Sequence, residues 1–204
     1  MVKMPKYEEA RKYVLNRLEN ELSPNLTYHS LKHTLEVVSA ADRLATWEKV
    51  GEEDRLLLLM GAYYHDLGFI RQRQAHESIS IQLAEQTLPE FGYSDTDVVV
   101  IRGIIQATCL PQSPTNLLEM IIVDADLDYL GHEDFWERSN DLRRELEIYG
   151  DNFTDEDWYS YQLRFIQPHR YFTASERSLR DAKKQQHLLE IQKLLDQAVQ
   201  IKRT

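Results

Sequence analysis

Residues 98–105 read VVVIRGII, and the fold class turns on them. Val98, Val99, Val100 and Ile101 are β-branched in succession, the composition of a buried strand. A strand needs a partner, however, and no other stretch of the chain offers one, while Ile104 and Ile105 continue the run at helical spacing. The segment is therefore read as a buried helix, although β-branched side chains lose χ1 freedom there.

Outward from this point the same period recurs. Apolar residues fall three and four apart at Tyr7, Ala10, Val14, Leu18 and Leu22, and again at Leu188, Ile191, Leu195 and Ala198. Ser94-Asp95-Thr96-Asp97, Thr154-Asp155-Glu156-Asp157 and Thr173-Ala174-Ser175-Glu176 have the form of capping boxes, and Gly68, Gly131 and Gly150 stand where helices should stop. Helices are expected over about 4–22, 28–49, 53–67, 76–88, 95–108, 116–130, 133–149, 155–171 and 174–202. The loops are short, and there is no Gly/Ser-rich linker, internal repeat or low-complexity tract. The expectation is an all-α protein forming a single domain over 1–204. On the last helix the apolar face packs on the domain, with the seam of a homodimer as the alternative, and Lys183, Lys184 and Lys193 sit among polar neighbours.

Composition narrows the function. With 42% apolar and 28% charged residues in 204, the chain can bury a core without staples. Cys109 is the only cysteine, which excludes an internal disulfide and a thiolate-rich zinc site, so any metal would be held by imidazole and carboxylate. A net charge of −10 argues against binding a nucleic-acid duplex, whose phosphates require a basic surface. The opening MVKMPKYEEARKYVLNRLENEL has charges throughout, unlike a signal peptide, and no apolar run is long enough to span a bilayer. A cytoplasmic protein acting on small molecules is expected. An acidic chain that handles a phosphorylated ligand must place a dication or arginines locally to reverse its own field.

Three of the seven histidines lie in two short stretches, YHSLKH at 28–33 and the HD dipeptide at 65–66. On a helix starting near Tyr28, His29 and His33 would share a face, being four apart. In LLLLMGAYYHDLGF, residues 56–69, an apolar helix ends in an imidazole and a carboxylate. A carboxylate buried there is costly unless compensated, either by a metal ion or by an arginine. A third stretch, LLEMIIVDADLDYLG, carries Asp124, Asp126 and Asp128. Asp126 falls at the edge of the buried face, and Asp124 and Asp128 turn toward solvent or substrate. Together His33, His65, Asp66 and Asp126 would offer two nitrogen and two oxygen ligands, a set suited to one divalent ion such as Mn, Fe, Co, Ni, Zn or Mg.

This ordered set, H then HD then D on successive helices, resembles the HD-domain superfamily of metal-dependent phosphohydrolases over roughly residues 28–130. The resemblance implies a compact multi-helix core over about 28–130 with a helical extension over about 131–204. It also implies hydrolysis of a phosphate ester, with His33, His65, Asp66 and Asp126 on the family's four metal positions. The opening Tyr28-His29 is similar to that of the cyclic-nucleotide phosphodiesterase branch, in which the earlier histidine donates the proton, and that role is carried to His29; Ser30 replaces the branch's asparagine. Two-metal members add histidines before the last aspartate, whereas only His76 lies between His65 and His132 here, so one tight ion is expected.

In such a site Asp66 or Asp126 would orient the attacking water and His29 would protonate the leaving oxygen. His76 and Glu77 are candidates for a substrate contact or a weak second cation. Lys32, Arg71 and Arg73 are candidate phosphate partners, against the alternative that each is a solvated surface charge. Arg170, in the segment Arg164–Phe172, is a further candidate contact, and the same residues are explained as the cationic, aromatic end of a helix. The expected function is a metal-dependent phosphohydrolase for a nucleotide or other small phosphorylated metabolite. The alternatives are an iron-dependent oxidative enzyme of the same fold and a non-catalytic metal- or nucleotide-binding sensor.

Overall fold

The computed structural model describes residues 5–201, all of whose regular structure is helical. The helices are α1 (Tyr7–Glu21), α2 (Leu31–Trp47), α3 (Glu52–Tyr64), α4 (His76–Thr87), α5 (Asp95–Ala107), α6 (Leu117–Asp126), α7 (Phe135–Ile148), α8 (Asp155–Ile166) and α9 (Ala174–Ile201). Short 3₁₀ turns follow α3 at Leu67–Ile70, α4 at Leu88–Phe91 and α6 at Asp128–Gly131. The expected helix ends at residues 4 and 202 lie outside the described residues. Among the described residues no helix is long and apolar enough to cross a membrane. The chain divides into two compact units, Met1–Asp126 and Leu127–Thr204.

In the first unit α3 is the central element. From Leu58 to Tyr64 every side is buried, the expected state of a helix apolar all round. Gly61 lets α5 approach closely, since a Cβ there would lie 2.5 Å from Ile104 Cγ2. Met60, Tyr63, Tyr64 and Leu67 pack with Ala10, Val14 and Leu18 of α1, Leu83 and Ala84 of α4, and Ile101 and Ile105 of α5. Burying each large apolar side chain contributes roughly 1.5–3 kcal/mol. The VVVIRGII segment is helical, with Ile101, Ile104 and Ile105 inward and Val99 exposed. Its start is the Ser94–Asp97 capping box, both reciprocal bonds of which form.

In the second unit the core is Leu127, Leu130, Phe135, Ile166, Tyr171 and Ile191. The Thr154–Asp157 capping box opens α8, and Thr173 Oγ1 accepts from the Glu176 amide at the start of α9. Lys184 is buried, contrary to its expected polar setting. Its Nζ donates to the His169 carbonyl at 3.2 Å, pairs with Asp181 at 3.2 Å and lies 4.4 Å from the centre of the Tyr171 ring. Burial and the Lys184 charge push His169 down to about 4. Of the three glycines read as helix stops, Gly150 fits the reading with φ +106°. Gly131 instead admits a close approach, since a Cβ would lie 2.5 Å from the Arg180 carbonyl oxygen.

Candidate metal centre

The HD dipeptide stands where α3 ends. His65 keeps helical dihedrals, φ −52° and ψ −42°, while Asp66 swings to φ −105° and ψ 5°, the sparsely occupied bridge region. Consecutive side chains on a helix diverge by about 100°. The change of dihedral instead brings His65 Nε2 within 3.3 Å of Asp66 Oδ2. Gly68 belongs to the following 3₁₀ turn and does not end α3. A Cβ on it would lie 1.9 Å from the His76 carbonyl oxygen, so its absence of a side chain lets the first turn of α4 lie against the HD turn.

Two more helices bring donors to the same point. His33, on the first turn of α2, places Nε2 at 3.2 Å from Asp126 Oδ1 and 3.5 Å from Asp66 Oδ2. Asp126, the last residue of α6, lies 3.7 Å from His65 Nε2. Donors about 2.1 Å from a shared dication stand roughly 3.0–3.4 Å apart in octahedral or tetrahedral order. The observed 3.2–3.7 Å separations therefore fit a cation after small adjustments. His65 Nε2 and Asp66 Oδ2 are buried and make no hydrogen bond. Buried polar atoms are seldom left so, and an ion would satisfy both.

The surrounding bonds aim these donors. His65 Nδ1–H donates to the Ala62 carbonyl at 2.7 Å, which leaves the Nε2 lone pair for a ligand. Burial opposes charging of His65, but the Asp66 and Asp126 carboxylates outweigh it and raise its pKa to about 9. Burial likewise opposes ionisation of Asp66, yet the neighbouring imidazoles hold its carboxyl well below the usual carboxylate range. The cluster is thus an anionic hole that takes either protons or a dication, and the His/Asp set has the composition of a divalent-metal site.

His29 is not on α2. The helix begins at Leu31 with Ser30 as an extended N-cap, its hydroxyl accepting from the His33 amide, so His29 and His33 share no helical face. Their rings still meet edge-on with centres 6.1 Å apart. His29 stacks on Phe69 at 4.3 Å, and Phe69 also contacts His76 at 4.0 Å. Phe69 was not singled out from sequence; its place directly after Leu67-Gly68 gives no chemical signal by itself.

On the other side of Asp66, His76 Nε2 lies 3.3 Å from Oδ1 and 3.5 Å from Glu77 Oε1. Its Nδ1–H donates to the Arg73 carbonyl at 3.1 Å, and its pKa is raised because Asp66 and Glu77 outweigh its burial. Ala75, just before it, sits in the left-handed region at φ +52°. The Glu77 carboxylate bonds Cys109, whose thiol is pushed up to about 11 by burial and by that charge.

Other expected positions differ. Lys32 and Arg71 are exposed, and Arg71 adds to the positive field on Glu21 of α1. Asp124 is fully buried and does not face solvent. Asp128 belongs to the second unit and takes two bonds from Arg180, at 2.8 and 3.0 Å. Arg170, also in the second unit, donates to the Gln167 and His169 carbonyls, capping the end of α8.

The HD domain family matches residues 30–127. No curated protein matches the chain. Among solved structures, a predicted HD superfamily hydrolase from an uncultured Thermotogales bacterium is 19% identical, with a TM-score of 0.64 over 97% of this chain and 95% of that one. Bacillus subtilis YpgQ, solved in complex with ADP, is 19% identical with a TM-score of 0.66 over 94% of each chain. A Lactobacillus plantarum protein is 18% identical, with a TM-score of 0.61 over 97% and 96%. The structural matches share the helical fold, and over residues 30–127, a span that contains His33, His65, Asp66 and Asp126, the chain matches the HD domain family.

Proposed function

We propose that this chain hydrolyses a phosphate ester of a nucleotide or other small phosphorylated metabolite, using one divalent ion held by His33, His65, Asp66 and Asp126. What carries the reading is the pair of buried donors without hydrogen bonds, His65 Nε2 and Asp66 Oδ2, set among two further ligand-type side chains. When bound, a divalent ion supplies Lewis acidity, bringing the pKa of water from about 15.7 toward neutrality.

The protein's own groups do the rest. Asp66 and Asp126 orient the water by accepting its hydrogens. His29, held by its stack on Phe69, donates a proton from its imidazolium to the departing oxygen. His76 and Glu77 bound the side of Asp66 away from His33 and contact the substrate. Lys32, Arg71 and Arg73 are the cations from which phosphate partners are drawn; Arg170, already engaged with two carbonyls, ranks behind them. ADP in one relative of the same fold puts nucleotides first among substrates to try.

The test is a screen of nucleotides, phosphomonoesters and phosphodiesters with added divalent salts, run on the wild type and on His29→Ala. Turnover should fall about 10²- to 10⁴-fold in the variant, the usual worth of a general acid, with bound metal unchanged. Metal-loaded wild type that cleaves none of the three classes, or a variant with full turnover, would defeat the proposal.

A further inference from the structure

Ser80, on the second turn of α4, is fully buried. Its hydroxyl donates to the His65 carbonyl at 2.7 Å and accepts from the Gly68 amide at 2.8 Å. These two backbone groups, three residues apart, are the pair that a 3₁₀ turn would join directly. Here a side chain from twelve residues further on spans them. The next bond of the turn, from the Phe69 amide to the Asp66 carbonyl, is made within the backbone at 3.1 Å.

We infer that Ser80 is a positioning residue for the metal centre: its hydroxyl, set into the HD turn, holds Asp66 out of helical geometry so that the His65 and Asp66 donors converge. The bracketed residues are Asp66 and Leu67, and Asp66 is where the dihedrals leave the helix. If the His65 carbonyl and Gly68 amide closed on each other, the turn would tighten and Asp66 would rotate relative to His65. The same hydroxyl fixes α4 to the turn, and so holds His76 beside Asp66 Oδ1. The Ser80 hydroxyl bonds backbone groups, so it acts on the donors through the turn and α4 rather than as a ligand.

The inference rests on the metal reading above, and its test separates the two. Affinity for Mn²⁺, Co²⁺ and Zn²⁺ is measured by competition with a chromophoric chelator on wild type, Ser80→Ala, Ser80→Cys and Leu83→Ala, each checked for folding by circular dichroism. Leu83→Ala, also on α4, lowers stability through the core while leaving both Ser80 bonds to the turn in place, and should keep wild-type affinity. Ser80→Ala should bind metal about 10- to 100-fold more weakly, the usual cost of losing a group that orients ligands. Ser80→Cys preserves volume but offers only a weak, long donor; it should fall in the same range, and it decides the matter if the alanine variant does not fold. A folded Ser80 variant with wild-type affinity overturns the inference, as does an equal loss in Leu83→Ala. Wild type that binds none of the ions overturns the metal reading instead.

Discussion

Both units bury charged side chains, but they compensate them differently. In the second unit, Asp128 meets the fork of Arg180 in two bonds, and Lys184 is enclosed by Asp181, the His169 carbonyl and the Tyr171 ring. Each of these charges has an opposite charge or a dipole supplied by the chain, and buried Glu176 lies 3.8 Å from Arg180 Nε. In the first unit, Asp66 and Asp126 face imidazoles alone, and two donor atoms stay buried without hydrogen bonds. Charge that a protein compensates internally contributes to its architecture; charge left for an outside cation marks where a ligand is needed.

The contrast can be broken most forcefully through the paired side. Arg180→Ala leaves Asp128 without its guanidinium and should cost about 3 kcal/mol of stability, read by urea denaturation, while metal content stays at the wild-type level. Loss of metal in that variant would mean that the two regions do not differ as described.

A smaller effect comes from pH. In chelator, His65 holds a folded-state pKa of about 9 against about 6.5 in the unfolded chain. The stabilisation from the protonated imidazole is therefore complete below pH 6.5 and lost as pH rises through about 9. Chelated protein should melt progressively lower across that window, by an amount on the order of 2 kcal/mol. With saturating metal the slope should flatten or reverse, because deprotonation favours the ion. A slope unaffected by metal would remove His65 from the ligand set.

The smallest test uses two residues in the left-handed region. The first unit places Ala75 there, beside His76, and the second places Gly150. Ala75→Gly should gain about 0.5 kcal/mol and Gly150→Ala should lose about 1 kcal/mol. Thermal unfolding of both variants checks the pair, and a loss in Ala75→Gly would show that the alanine conformation is unstrained.

Much of the architecture was legible because helical periodicity and capping are local. Ile101, Ile104 and Ile105 settle VVVIRGII as helix, and the Ser94 and Thr154 boxes form where their residues stand. The spacing of His33, His65, Asp66 and Asp126 along three helices pointed to a shared centre, and their donors do converge. What stayed hidden depends on distant parts of the chain. Ser30 starts α2 late because its hydroxyl caps the His33 amide without the acidic third residue that would advertise a box, and so His29 falls outside the helix. Gly68 looks like a stop but serves the approach of α4, and Ser80 carries no motif at all. Asp124 was placed toward solvent or substrate by its helical phase relative to Asp126, whereas the packing of α6 buries it.

The central claim is that the orphaned donors of the first unit await a divalent ion. Elemental analysis of the purified protein, after equilibration with a mixture of divalent salts and removal of excess, tests it most directly when run beside Asp126→Ala. The account predicts about one ion per chain in the wild type and a marked loss in the folded variant. A folded wild type that retains no metal, or equal metal in both proteins, would contradict it.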